Sequence, residues 1–250
     1  MSGPVGFRIF TKVKRAEPAL VEAFRDLPVC NIDDSMNKIA GAHSAIKPLN
    51  SVKLLGTAIT VKAPIGDNLM FHQAISMAQA GDVIVVDGGG CTERAICGEN
   101  MMQIARQKGV RGFLVDGSIR DSAALAAFDD FTIFARGVMA NASFKGLGPG
   151  EINVPVCIGG MVVYPGDIIV GDEDGVVAIR PQHAQEIAEA ARRLKEQDDQ
   201  RDQADGAAEH PRTIAAHLGV GAVGQGADHR VIDGVPDPAD QEQDGDGARR

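Results

Sequence analysis

Apolar residues recur with two different periods along this chain, and the switches between them outline a fold. Gly56 to Ala63 (Gly-Thr-Ala-Ile-Thr-Val-Lys-Ala) alternates and is rich in β-branched residues, which predicts a strand. Residues 68–80 follow helical spacing through Leu69, Phe71, Ile75 and Met77, with Asp67-Asn68 placed to cap the helix start. Two strand–helix units come next. Strand 82–87 leads through Gly88-Gly89-Gly90 to a helix over 98–108, and strand 110–116 leads to a short helix near 120–127. Phe131 to Ala135 is a third buried strand. The rhythm of roughly 28 residues from strand to strand predicts parallel pairing with right-handed crossovers.

The flanks read differently. Residues 16–28 form an amphipathic helical pattern through Leu20, Val21, Phe24 and Leu27, and Asp33 or Asp34 is placed to cap a further short helix. After Gly137 the pattern turns to hairpins. Val154 to Tyr164 folds back around Gly159-Gly160, Ile168 to Val170 is a strand, Asp172-Glu173-Asp174-Gly175 is a tight turn, and Val176 to Ile179 is a further strand. A long helix, Gln182 to about Gln200, buries Ile187, Ala190, Ala191 and Leu194 and is charged elsewhere. An α/β half followed by a hairpin half predicts one compact α/β domain in β/β/α layers, of the swivelling-domain type, over residues 1–200. From residue 201 the periodicity fades into Gly, Ala, Asp and Pro, so 201–250 is expected to be a disordered acidic tail.

Charge sharpens that division. Residues 197–250 hold 12 acidic and five basic side chains, a net of −7, which leaves the first 196 residues at only −2. Neither part has the basic stripe that a phosphate backbone requires, and the scarcity of aromatics (4%, no Trp) removes the stacking platform for single strands, so no nucleic-acid partner is expected. No run of about 18 apolar residues exists to span a membrane, and the first 14 residues lack the apolar stretch of a signal peptide. Four cysteines without a CxxC pair are expected to be free thiols, and the chain is read as cytoplasmic.

Several chemistries lack their residues. Gly88-Gly89-Gly90 is neither GxGxxG nor a P-loop and is read as a tight strand-to-helix connection. Asp172 to Asp174 starts like a calcium loop but lacks the closing Glu, so a solvated turn is expected. The six histidines have no zinc spacing, no GxSxG elbow occurs, and Lys62 and Lys108 lie outside the glycine-flanked turns where a Schiff-base lysine is sought.

Two polar motifs stand at strand ends. Gly98-Glu99-Asn100-Met101 either opens a helix whose free amides suit a carboxylate, or is simply a helix start with an acid in its first turn. Arg120-Asp121 is either a surface ion pair with Asp as a helix cap, or an anchor for a keto acid. Adjacent parallel strands end at one edge, so Glu99 and Asp121 can be neighbours there. Two such carboxylates repel unless a cation or proton lies between them.

An acidic residue, twenty residues, then Arg-Asp is the spacing from Glu99 to Arg120-Asp121. With Val86-Asp87-Gly88-Gly89, Val115-Asp116-Gly117 and Gly175-Val176-Val177, it resembles the family of 4-hydroxy-4-methyl-2-oxoglutarate aldolases and the regulator of ribonuclease activity A, over about residues 15–200. The resemblance implies a class II pyruvate aldolase dependent on Mg²⁺ or Mn²⁺, with oxaloacetate decarboxylase side activity. It also implies assembly as a homotrimer or hexamer with the active site between subunits. Carried over by position, Gly98, Glu99, Asn100 and Met101 bind the substrate carboxylate through backbone N–H groups, and Arg120 contacts the keto and carboxylate oxygens. Asp121 ligates the metal, Glu99 reaches it through water, and Glu196 of a neighbouring subunit completes the site. Glu99 stands where the family more often has Asp, and the chain beyond residue 200 does not resemble the usual family ending. The alternative is a non-catalytic regulator that docks on a ribonuclease. A menaquinone methyltransferase, a label attached to some similar sequences, is disfavoured because the chain lacks a glycine-rich methyl-donor loop after its first strand.

Overall fold

The computed structural model describes residues 3–144, 146 and 148–207, with 205–207 as backbone only. The first elements are α1 (Pro18–Glu22), α2 (Val29–Ser35), β1 (Lys47–Pro48), β2 (Leu54–Lys62) and α3 (Leu69–Met77). Then come β3 (Asp82–Ala95), α4 (Glu99–Gln107), β4 (Gly112–Ile119), α5 (Ser122–Ala126) and β5 (Thr132–Val138). The rest is β6 (Glu151–Ile152), β7 (Val156–Ile158), β8 (Met161–Val163), β9 (Ile168–Gly171), β10 (Val176–Ile179) and α6 (Ala184–Ala207), which a short 3₁₀ turn, Pro181–His183, precedes.

Strands β2, β3, β4 and β5 pair in parallel in sequential order, as their spacing predicts; Thr57 faces Asp82, Val83 faces Gly112 and Gly112 faces Thr132. Antiparallel strands extend both edges, giving the order β1-β5-β4-β3-β2-β9-β10 with β6 beside the end of β2. Every residue of β4 is buried, because both faces of the sheet are covered. On one face α3, α4 and α5 pack around Phe71, Phe113 and Phe131, whose rings meet edge to face at 4.8 and 5.0 Å. On the other face the β7–β8 hairpin covers Val83, Val85, Leu114 and Phe134, with the Gly159-Gly160 turn in the left-handed region at φ 53° and 86°. These layers form the expected mixed α/β, β/β/α arrangement. A third cluster seats α1, α2 and α6 on β9 and β10.

Long-range ion pairs tie the N-terminal segment to this core. Arg15 grips the buried Asp82 through two hydrogen bonds of 2.8 Å, and the Gln79 amide donates a third at 2.7 Å. Glu151 accepts from the Gly6 amide at 3.0 Å and from the Arg8 guanidinium, which hold its carboxyl down to about 2. A depressed carboxyl stabilises the fold only while ionised. The Glu151 contribution is therefore present above its ordinary value of 4.5 and is lost as pH falls toward 2. Chemical denaturation at pH 6 and at pH 3 checks this. Glu151→Gln is expected to narrow the gap between the two, and an unchanged gap would refute the assignment.

Five expectations change. The three glycines do not turn the chain into a helix. Instead β3 continues for 14 residues, and the pairing jumps from Asp87↔Asp116 to Cys91↔Gly117 and then Ala95↔Ser118. Gly89 and Gly90, at φ 67° and 69°, let the surplus residues bulge out while the strand stays on β4. The pattern over 16–28 gives only five helical residues, although Phe24 and Leu27 are buried as expected. Pro28 then starts α2, which places Asp33 and Asp34 inside that helix; Asp33 accepts the Ala40 amide at 2.8 Å instead of capping. Asn68 holds the N-cap position of α3 without a capping bond, whereas Asp67 accepts the Leu69 amide at 2.8 Å. Finally, α6 runs to Ala207, so the first residues of the expected tail are helical. The expected disordered tail otherwise lies outside the described residues. No helix among the described residues is long and apolar enough to cross a membrane.

Candidate active site

The parallel sheet brings the two polar motifs together. Beyond the second bulge the chain stays beside β4: the Ile96 amide donates to the Ser118 carbonyl at 2.9 Å and the Arg120 amide to the Cys97 carbonyl at 3.0 Å. Gly98 therefore lies against Arg120-Asp121 as α4 begins. The Glu99 amide donates to Asp121 Oδ2 at 2.9 Å, and Arg120 Nε stands 3.5 Å from the same oxygen. A Cβ at position 98 would lie 2.5 Å from Asp121 Oδ2 and 2.9 Å from Arg120 Nε, so a side chain there would have to displace both groups.

Asp121 sits at the N-cap position of α5 but does not cap it. Its backbone is left-handed (φ 61°, ψ 38°), and its carboxylate instead reaches the first amide of α4. This conformation disfavours most side chains, although Asp and Asn adopt it through local hydrogen bonds. Glu99, Arg120 and Asp121 are all exposed, so a ligand can reach all three, and the charges of Arg120 and Asp121 meet there. The backbone cradle is narrower than expected, since the Glu99 amide is held by Asp121 and the Met101 amide by the Gly98 carbonyl.

Beside Gly98 opens a cavity of about 210 Å³, walled by Asn68, His72, Asn100, Arg120, Ala142 and Ser143 among others. Pattern reading overlooked Asn68, His72 and Ser143. Asn68 is buried, its amide nitrogen donates to the Ile96 carbonyl at 3.1 Å, and its Oδ1 has no partner among the described residues. An Asp-Asn pair between strand and helix looks like capping chemistry, and nothing in the chain around it signals a cavity wall. Cys97 also lines the space, but burial and the nearby Asp121 charge push its thiol up, which makes it a poor nucleophile. A larger cavity of 320 Å³ lies beside Arg15 and Asp82, at the other end of β3. The smaller one is set apart by its place beside Gly98 and Arg120, next to Glu99 and Asp121.

Among the described residues no group of three or more His, Cys, Asp and Glu side chains converges as a metal cage. The hard donors at this edge are the exposed carboxylates of Asp121 and Glu99. That suits Mg²⁺ or Mn²⁺, which usually keep several waters, and does not suit zinc. Glu196 is exposed on α6, whose buried face belongs to the α1/α2/β9/β10 cluster and not to the one that holds α4 and α5.

The sequence model described as RraA-like (Aldolase/RraA) matches residues 29–178. The chain belongs to that family. It is 40% identical, over 77% of its length and 91% of the relative's, to a Halalkalibacterium halodurans protein provisionally named 4-hydroxy-4-methyl-2-oxoglutarate aldolase. Among solved structures, Streptomyces coelicolor RraAS2, described as an unusual member of the RNase ES inhibitor RraA family, superposes with a TM-score of 0.68 at 25% identity, over 75% of this chain and 98% of that one. An uncharacterised protein from Pseudomonas syringae shares the fold with a TM-score of 0.69 at 22% identity, over 84% and 96% of the two chains. The Aldolase/RraA family thus spans both readings that the Glu99/Arg120-Asp121 spacing suggests.

Proposed function

We propose that the protein is a divalent-metal-dependent lyase that cleaves 2-keto-4-hydroxy acids of the 4-hydroxy-4-methyl-2-oxoglutarate type to pyruvate, with oxaloacetate decarboxylation at the same site. The observation that carries this reading is the meeting of Glu99, Arg120 and Asp121 at one sheet edge, tied by the 2.9 Å bond from the Glu99 amide to Asp121, beside a cavity that Arg120 lines. The proposed metal, Mg²⁺ or Mn²⁺, supplies Lewis acidity toward the keto oxygen when bound. Asp121 would be its ligand and Glu99 would orient water around it. Arg120 presents a permanently charged planar fork to the keto and carboxylate oxygens of the substrate. Cleavage passes the proton of the 4-hydroxyl to a water that Glu99 orients, breaks the C3–C4 bond and sends its electron pair to the keto oxygen; return of a proton to C3 then gives pyruvate. The charge that develops there falls within reach of Arg120. Loss of carbon dioxide from oxaloacetate sends electrons to the same oxygen, so one site serves both reactions. Arg120→Lys keeps the charge but loses the fork, and is expected to lower kcat/KM for either substrate about tenfold or more.

We further propose a homotrimer or hexamer acting in the cytoplasm, where the four free thiols persist. A neighbouring copy would bring Glu196 to the site.

The test is pyruvate release from 4-hydroxy-4-methyl-2-oxoglutarate and from oxaloacetate, first with Mg²⁺ and then with EDTA. Turnover of both that EDTA abolishes supports the lyase. A folded protein that turns over neither defeats it, and favours the second reading: a regulator that docks on a ribonuclease. That reading draws on the kinship with the inhibitor RraAS2.

A further inference from the structure

One wall of the cavity is a crossing segment that the reaction chemistry above does not use. After β5 the chain passes back over the sheet edge, and Ala142 and Ser143 face the cavity opposite Asn68 and His72 of the α3 start. Two different attachments hold this strap. On the β3 side, the Ala95 amide donates to the Asn141 carbonyl at 2.8 Å and Arg94 Nη1 to the Ala142 carbonyl at 3.1 Å, while the Arg94 guanidinium stacks 3.9 Å from the Phe144 ring centre. On the α3 side, the Phe144 amide donates to the Gly66 carbonyl at 2.8 Å. The adjacent Asp67, buried and not itself a cavity wall, accepts from two amides far apart in sequence. Its Oδ1 takes the Leu69 amide at 2.8 Å, and its Oδ2 takes the Gly146 amide at 3.1 Å. Close approach fixes the residue type across this joint, since a Cβ on Gly146 would lie 2.7 Å from Asp67 Oδ2.

We infer that Asp67 is a positioning residue for substrate recognition, an inference that rests on the lyase reading. It has no counter-ion among the described residues, so its charge is met by two amide donors, that of Leu69, next to the wall residue Asn68, and that of Gly146, three residues beyond the wall residue Ser143. The carboxylate therefore sets the distance between Asn68/His72 and Ala142/Ser143. These walls lie apart from Glu99 and Asp121, where the bond breaks, so they meet the part of the keto acid that does not react. Binding energy gathered there aligns the reacting end.

The test uses Asp67→Asn, Asp67→Ala, Gly146→Ala and the Asp67→Ala/Gly146→Ala pair in the full chain. Asparagine keeps one acceptor but turns its NH₂ toward one of the amides; alanine removes both acceptors. The expected result is a rise in KM for oxaloacetate, a few-fold in Asp67→Asn and about tenfold in Asp67→Ala, with kcat changed less than threefold. The double variant is expected to be no worse than the poorer single one, because both substitutions break the same joint. Hydrogen exchange in the absence of substrate is expected to quicken at 141–144 and 146 in Asp67→Ala while β3 and β4 stay protected. Unchanged exchange in the strap, or additive effects of the two substitutions, overturns the inference, as does a fall in kcat at constant KM. If the unaltered protein turns over no keto acid, the lyase reading fails, and the exchange measurement still decides whether Asp67 holds the strap.

Discussion

Asp121→Asn is expected to lower oxaloacetate turnover by a factor of about 10² to 10³ and to leave the unfolding transition in place. The choice of asparagine follows from the backbone. Position 121 is left-handed at φ 61°, a conformation that asparagine tolerates, and the amide oxygen can still accept the Glu99 N–H. Only the charge is removed, so a lost activity reports on the metal and not on the turn. Asp121→Ala confuses the two. It deletes the acceptor at the α4 start and puts a residue without local hydrogen bonds into a conformation that costs roughly 1 kcal/mol or more. Circular dichroism and thermal melts of both variants, run beside the pyruvate assay, separate the effects. Full magnesium-dependent activity in Asp121→Asn would remove this residue from the metal site.

The second large effect is on stability. Arg15→Met is expected to lower the unfolding free energy by about 3 kcal/mol, read from urea midpoints. Asp82 is wholly buried at the start of β3, and Arg15 supplies two of its three hydrogen bonds. Without the guanidinium, a buried carboxylate keeps a single amide donor. The cost comes chiefly from that stranded charge, so Asp82→Asn in the same chain is expected to recover about half of it. A loss below about 0.5 kcal/mol in the single variant would mean that water or another cation reaches Asp82.

Local periodicity made the helices and parallel strands of the central layer legible. Of the apolar positions Met101, Met102, Ile104 and Ala105 that mark α4 in the sequence, all but the exposed Ile104 are buried, and the run Asp82 to Asp87 marks the start of β3. The end of β3 was hidden because glycine carries no periodicity. Whether Gly88-Gly89-Gly90 turns or bulges depends on a partner strand that pairs as Asp87↔Asp116 before the glycines and Cys91↔Gly117 after them, and no local pattern holds that information. Arg15–Asp82 and Asp67–Gly146 were hidden for the same reason, being pairings at separations of 67 and 79 residues. The site itself split along this line. Glu99, Arg120 and Asp121 were found through their spacing and the parallel edge, whereas the Asn68 and Ser143 walls come from segments with no chemical signature of their own.

The two bulges of β3 act as slack in a rope already made fast. The stretch paired strictly with both neighbours, Val83 to Val86, lies before them, and Gly98 lies after them, so length gained or lost between Asp87 and Ala95 need not travel back into the core. In this architecture the reach of the chain toward Gly98 and the integrity of the centre of the sheet are separate variables. That stretch can be lengthened, shortened or re-shaped without renegotiating the packing that keeps the molecule folded.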